Sequence, residues 1–252
     1  AGNLVGAVGH DVFGFARTLF VFSAVSLLAV PLGAQSQRLV KHDGPRKRHE
    51  RPSFRGSLGL WVCGFAAGCV GTGLVMSTLG LVLRDKVGES ITVVGVVVGV
   101  ATLNGLLLSA RWVAGWSEPL WGAISDRIGR RQAALRYFAA GSVALLVGSQ
   151  VQHPGYVVGC VLAFFLCGAA TNVTVLAEAV RRGPRVTASY VTASDMGAAA
   201  GPLLGWAAPH FGLPSSAVFM LGGALYAVAA VVSHRSLTDA ATDQPPDESA
   251  AA

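Results

Sequence analysis

Uncharged runs dominate the chain. No Asp, Glu, Lys or Arg occurs within 18–37, 56–83, 90–110, 137–177 or 196–234. Each run is as long as the roughly 20 apolar residues that cross a bilayer as a helix. The two longest each contain a turn signal, "SQVQHPGY" at 149–156 and "APHFGLP" at 208–214. A half-buried strand would alternate polar and apolar positions, and a surface helix would carry a polar face. Inside hydrocarbon, a helix satisfies all of its own backbone hydrogen bonds. The pattern therefore predicts helical spans over 14–35, 57–83, 91–121, 132–149, 155–177, 187–208 and 215–234, with 1–8 as the tail of an earlier span. The fold class is an all-α polytopic membrane protein.

Composition supports this reading. The chain is 52% hydrophobic and 13% charged, against about 25% charged in ordinary soluble domains, and its mean hydropathy is +0.56. Cys63, Cys69, Cys160 and Cys167 all fall within spans at spacings that match no zinc pattern, so they read as small packing residues. No metal or cofactor is expected. "NVT" at 172–174 spells a glycosylation acceptor but lies inside a span. No G-x-x-x-x-G-K-[ST] loop occurs, which argues against direct ATP drive. A membrane-embedded enzyme would want a His/Glu, Ser/His or Asp cluster at a span end, and none appears.

The cations sort by side. Connections 36–56, 122–131 and 178–186, the start of the fourth span and the end of the last hold 15 of the 19 Lys and Arg residues; the other side holds Arg17, Arg84 and Lys86. The positive-inside rule puts the basic connections, and the C-terminus with them, in the cytoplasm, most simply of a bacterial cytoplasmic membrane. The run "PRKRHERP" then needs lipid rather than nucleic acid as its partner. The tail at 237–252 is acidic, rich in Pro and Ala, and expected to be disordered.

One charged knot interrupts the apolar pattern: "WGAISDRIGRR" at 121–131, with one Asp and three Arg around two glycines. "DRIG" suits a tight turn, with Asp126 first and Gly129 fourth. Arg130 and Arg131 then open the next helix, where cations oppose the helix dipole, so they call for anionic lipid or a carboxylate partner. A second signal is a repeat. "AGNLVGAVGHDVFGF" opens the chain and "AGPLLGWAAPHFGL" recurs at 200–213, each followed by an apolar span. Duplicated units of this kind mark two-fold repeated transporters.

The knot's pattern G-x-x-x-D-R-x-G-R-R, filled by Gly122, Asp126, Arg127, Gly129, Arg130 and Arg131, resembles the signature loop of the major facilitator superfamily. The resemblance implies a twelve-helix fold of which this chain is the C-terminal part. Residues 1–35 would be the end of helix 5 and helix 6. The basic linker between bundles would be 36–56, and the six-helix C-terminal bundle, helices 7–12, would be 57–236. The knot would join helices 8 and 9. In the family this Asp and Arg latch the loop to the facing N-terminal bundle and stabilise the outward-open state; that bundle is mostly missing here. The plainer alternative is a turn that sets topology.

Three ionisable residues remain within or near spans, and charge there is costly enough to suggest function. Arg111 and Glu118 are seven residues apart on one helix face, and Asn104 extends that face by another seven, so a polar stripe toward a water-filled cavity is expected. Asp195 is the candidate for proton coupling and Arg111 for substrate or counter-charge; a structural ion pair or snorkelling at the cytoplasmic edge is the alternative for each and for Glu118. The span at 187–208 reads G-x-x-x-G-P-x-x-G through Gly197, Gly201, Pro202 and Gly205. Small residues there permit close helix approach and Pro bends the span. A similar signature lies on helix 5 of the family's antiporters, which tilts expectation toward export. The leading function is secondary active transport of a small-molecule substrate, proton-coupled; a half-size sensor or scaffold without transport is the alternative.

Overall fold

The structure, a computed structural model, describes residues 54–237 apart from 89, 94 and 95, together with helical positions scattered between 16 and 31. The chain divides into two compact units, Ala1–Glu50 and Arg51–Ala252. In the first, the described positions are helical and include the exposed apolar residues Phe20, Val21, Val25 and Leu27. The first repeat copy, most of the 14–35 span, the linker up to 53 and the tail from 238 lie outside the described residues.

In the second unit α1 (Phe54–Ala67) runs into a π-helical segment (Gly68–Val75) and on into α2 (Met76–Val87). A hairpin of β1 (Ser90–Val93) and β2 (Val96–Gly99) follows, antiparallel with Ser90 opposite Gly99. Then come α3 (Val100–Gly115), α4 (Glu118–Ile128), α5 (Arg130–Gln150), α6 (Pro154–Arg181), α7 (Pro184–His210) and α8 (Ser216–Ser236). Among the described residues the fold is all-α apart from that hairpin. Leu58–Val87, Pro154–Arg181 and Ser216–Ser236 are each long and apolar enough to cross a membrane.

Two expectations are corrected. The stretch 91–121 is not one helix. β-branched residues dominate 91–98 and favour extended backbone, which gives the hairpin. Farther along, Pro119 has no amide hydrogen, and its ring would strike the carbonyl four residues earlier. The helix accordingly stops at Gly115; Trp116 and Ser117 tighten into turns on Val113 and Ala114, and α4 restarts with Pro119 in its first turn. Nor is the knot a β-turn. α4 stays helical through Ile128, and Gly129 alone breaks it, at φ 86 and ψ 134. That positive φ is open to glycine and strained for other residues.

Helix association in lipid relies on close packing rather than on hydrophobic burial, and the glycines show how it is achieved. α7 lies against α1 and the π-helical segment. A Cβ added to Gly197 would strike the Phe65 carbonyl, and one on Gly201 would strike the backbone at Cys69 and Leu74. On the facing side, a Cβ on Gly68 would meet the Ser194 carbonyl, and one on Gly73 would lie 2.7 Å from the Gly201 Cα. Pro202 leaves the Ala198 carbonyl without its helical donor, and this oxygen faces Gly73. Gly201→Ala is expected to cost about 1–3 kcal/mol through overpacking. Gly159→Ala, where nothing lies within 4 Å, should leave thermal unfolding in detergent unchanged. Equal melting of the two variants would refute the packing account.

The rest of the core is aromatic and aliphatic. Tyr226 sits between Phe138 and Phe164, with ring centroids 5.2 and 5.3 Å away, and Leu74, Leu79, Leu145 and Phe219 fill the space around them. At one end of the bundle, Lys86 Nζ donates to the Ser149 and Val151 carbonyls at 2.9 and 2.8 Å. It thereby caps the C-terminus of α5, where a cation is favoured.

Candidate functional site

A cavity of about 320 Å³ opens between the π-helical segment, α3, α6 and α7. Arg111, Glu118, Thr72, Asn172, Ser194 and Tyr226 bring polar atoms to it, and Phe164 and Phe165 form an apolar wall. Arg111 stands in the C-terminal half of α3, four residues before its end at Gly115. Its Nη2 donates to Thr72 Oγ1 at 3.2 Å. The widened π-helical backbone carries Thr72, the exposed position among otherwise buried neighbours. Tyr190 OH on α7 donates to Asn172 Oδ1 at 3.4 Å.

The structure brings Arg111 and Glu118 into one cavity and separates Asn104 from them. Asn104 lines a second cavity with Arg84, Leu81 and Trp206, and Gly80 of α2 packs against its amide. Its Oδ1 is buried without a hydrogen-bond partner. The expected stripe is therefore two sites on one helix. Asp195 lies next to Ser194 in sequence but is exposed on α7, among Val191, Met196 and Leu203, with no ion pair or hydrogen bond among the described residues.

The end of the bundle that holds the knot is built around a residue sequence reasoning missed. The Glu178 side chain is fully buried and accepts from Arg181 Nε and Nη2 at 2.9 Å and from Arg182 Nε at 2.7 Å. Arg130 Nη1 lies 3.7 Å from the same carboxylate and donates to the Ala177 carbonyl at 3.2 Å. Arg130 also pairs with Asp126 at 3.3 Å across the helix break at Gly129. Arg182 Nη2 reaches the Ser236 carbonyl at 2.8 Å, and Arg131 meets His234 at 3.2 Å. Arg130 thus has two carboxylate partners, Asp126 and the buried Glu178 of α6. The signal for Glu178 was legible in "EAVRR", with Glu three and four residues before the two Arg. Asp126 remains 65% exposed, and Arg127 is exposed without a partner among the described residues. Gly122 of α4 faces Val173 of α6, with room for a Cβ.

No family model matches the chain, and no curated protein does. Among solved structures, the chain is similar to a point variant of the E. coli fucose:proton symporter FucP, with a TM-score of 0.57 at 14% identity. The match covers 90% of this chain and 58% of the symporter, so the chain spans little more than half of the structure it matches. The likeness and the apolar helices define an integral, multi-pass membrane protein. Its fold is that of the part of the symporter structure it matches.

Proposed function

We propose that the chain is the C-terminal bundle of a secondary active transporter that moves a small solute by alternating access, coupled to protons, with efflux slightly favoured. The observation that carries this reading is the cavity at Arg111. It is a charged, polar-lined space between the helices of an apolar bundle, where isolated charge is costly unless it serves a path. A facing N-terminal bundle closes the other side of that space and rocks against this one. In this reading 1–35 completes the N-terminal bundle, 36–56 links the bundles and 57–236 forms the C-terminal one. The tail at 237–252 and the knot lie in the cytoplasm of a bacterial cell.

The knot divides its labour. Arg130 and Arg131 are engaged within the bundle, whereas Asp126 and Arg127 are presented outward, which suits a latch onto the facing bundle. Asp126→Ala in the full-length protein is expected to weaken the outward-open state and raise protease access to the cytoplasmic loops. Unchanged cleavage would leave the knot a structural corner only. The transport reading itself is tested by counterflow: the full-length protein in proteoliposomes should exchange a labelled solute against its unlabelled form. A folded, reconstituted protein that exchanges nothing across a broad solute panel is a sensor or scaffold instead.

A further inference from the structure

The hydrogen bonds around the cavity leave it with a bias. Arg111 forms no contact ion pair among the described residues, although Glu118 in the same cavity acts on it at longer range; its hydrogen-bond partner is a hydroxyl, Thr72. Because Thr72 Oγ1 accepts from Arg111, its own O–H is free to donate. Because Asn172 Oδ1 accepts from Tyr190, the Asn172 amide nitrogen is the part left for the cavity. The guanidinium, the amide N–H₂ and the hydroxyls of Thr72, Ser194 and Tyr226 can all donate to the same space, and the Glu118 carboxylate is the acceptor-only side chain among the described lining residues. A neutral polyol would want acceptors in comparable number, whereas a carboxylate takes donors on both oxygens.

Taking the cavity as the solute site of the proposed transporter, we propose that it binds a small organic monoanion through a carboxylate group. Arg111 is its counter-charge, and Asn172 Nδ2 and the Thr72 hydroxyl complete the shell. Tyr190 is a positioning residue that fixes which way the Asn172 amide faces. Phe164 and Phe165 take the apolar body of the solute. Glu118 limits the charge. It lines the same cavity but forms no ion pair with Arg111, and it stands at the N-terminus of α4, where the helix dipole favours an acid. A second negative charge on the solute would meet this carboxylate, so dicarboxylates are disfavoured.

The test is ligand-induced thermal stabilisation of the full-length protein in detergent. The probes are lactate, butyrate and benzoate, the primary amide of each, succinate and fucose. Monocarboxylates should stabilise, with the amides about 10- to 100-fold weaker, as expected for loss of a charge-assisted contact. Arg111→Gln should erase the preference and Arg111→Lys should keep part of it. Asn172→Asp, which preserves shape, should weaken carboxylates selectively and covers the case of a misfolded Arg111 variant. Glu118→Gln should admit succinate. Equal stabilisation by the amides or fucose, no stabilisation by any monocarboxylate, or a preference that survives Arg111→Gln and Asn172→Asp overturns the anion assignment and leaves transport standing. Carboxylate binding with no counterflow of any solute overturns the transport reading and leaves the anion site standing.

Discussion

Glu178→Ala is expected to lower the stability of the bundle by about 3–5 kcal/mol, the usual cost of removing one partner from a buried ion cluster. The carboxylate is fully buried and is the acid shared by Arg130, Arg181 and Arg182. Without it, three partly covered guanidinium groups face one another, and the tie from α5 to α6 at this end is reduced to the Arg130 bond to the Ala177 carbonyl. Arg182 also carries the tie to the end of α8 through the Ser236 carbonyl, so the damage should spread to that helix. Glu178→Gln keeps the shape and should recover part of the loss. Asp126→Asn serves as the control. Its pair with Arg130 is exposed on the Asp side, and such pairs contribute about 0–1 kcal/mol. Unfolding in a graded denaturing detergent series reads all three variants. An alanine variant within 1 kcal/mol of the parent would mean that the cluster is not what joins these helices.

The second large effect falls on coupling rather than stability. Asp195→Asn is expected to abolish solute accumulation driven by a proton gradient while leaving counterflow in place. The residue is the one acid within Pro184–His210, exposed between Thr192 and the apolar Val191 and Met196. Charge at membrane depth costs roughly 2.5–3.5 kcal/mol on insertion scales, so gain and loss of a proton there can be tied to the movement of one bundle past the other. The side chain is exposed and unpaired among the described residues, so the amide removes no contact seen there, and melting should be unchanged. Retention of full gradient-driven accumulation by Asp195→Asn would remove it from the coupling mechanism.

Much of the bundle was legible because lipid permits so few backbone solutions. The spans expected at 132–149, 155–177, 187–208 and 215–234 correspond to Arg130–Gln150, Pro154–Arg181, Pro184–His210 and Ser216–Ser236. Gly129, Pro154, Gly183 with Pro184, and the 211–215 turn mark the ends, and their chemistry is visible in one dimension. The failure at 91–121 has an equally local cause. Absence of charge was read as continuity, although β-branched residues and Pro119 both argued otherwise. At the site, Arg111 and Glu118 were legible as charges out of place. Thr72, Asn172, Tyr190 and Ser194 were not, because each is ordinary on its own helix. They acquire meaning only where the π-helical segment and α7 close to glycine contact and bring separate elements to one cavity.

The central claim is that this bundle belongs to a proton-coupled transporter, and gradient-driven uptake tests it most directly. The full-length protein is reconstituted in liposomes, and a pH gradient of either sign is imposed across a panel of monocarboxylates. The account predicts accumulation above equilibrium with one sign of gradient, collapse of that accumulation on adding a protonophore, and its loss in Asp195→Asn. Folded protein that leaves solute at the level of empty liposomes under both gradients would contradict it.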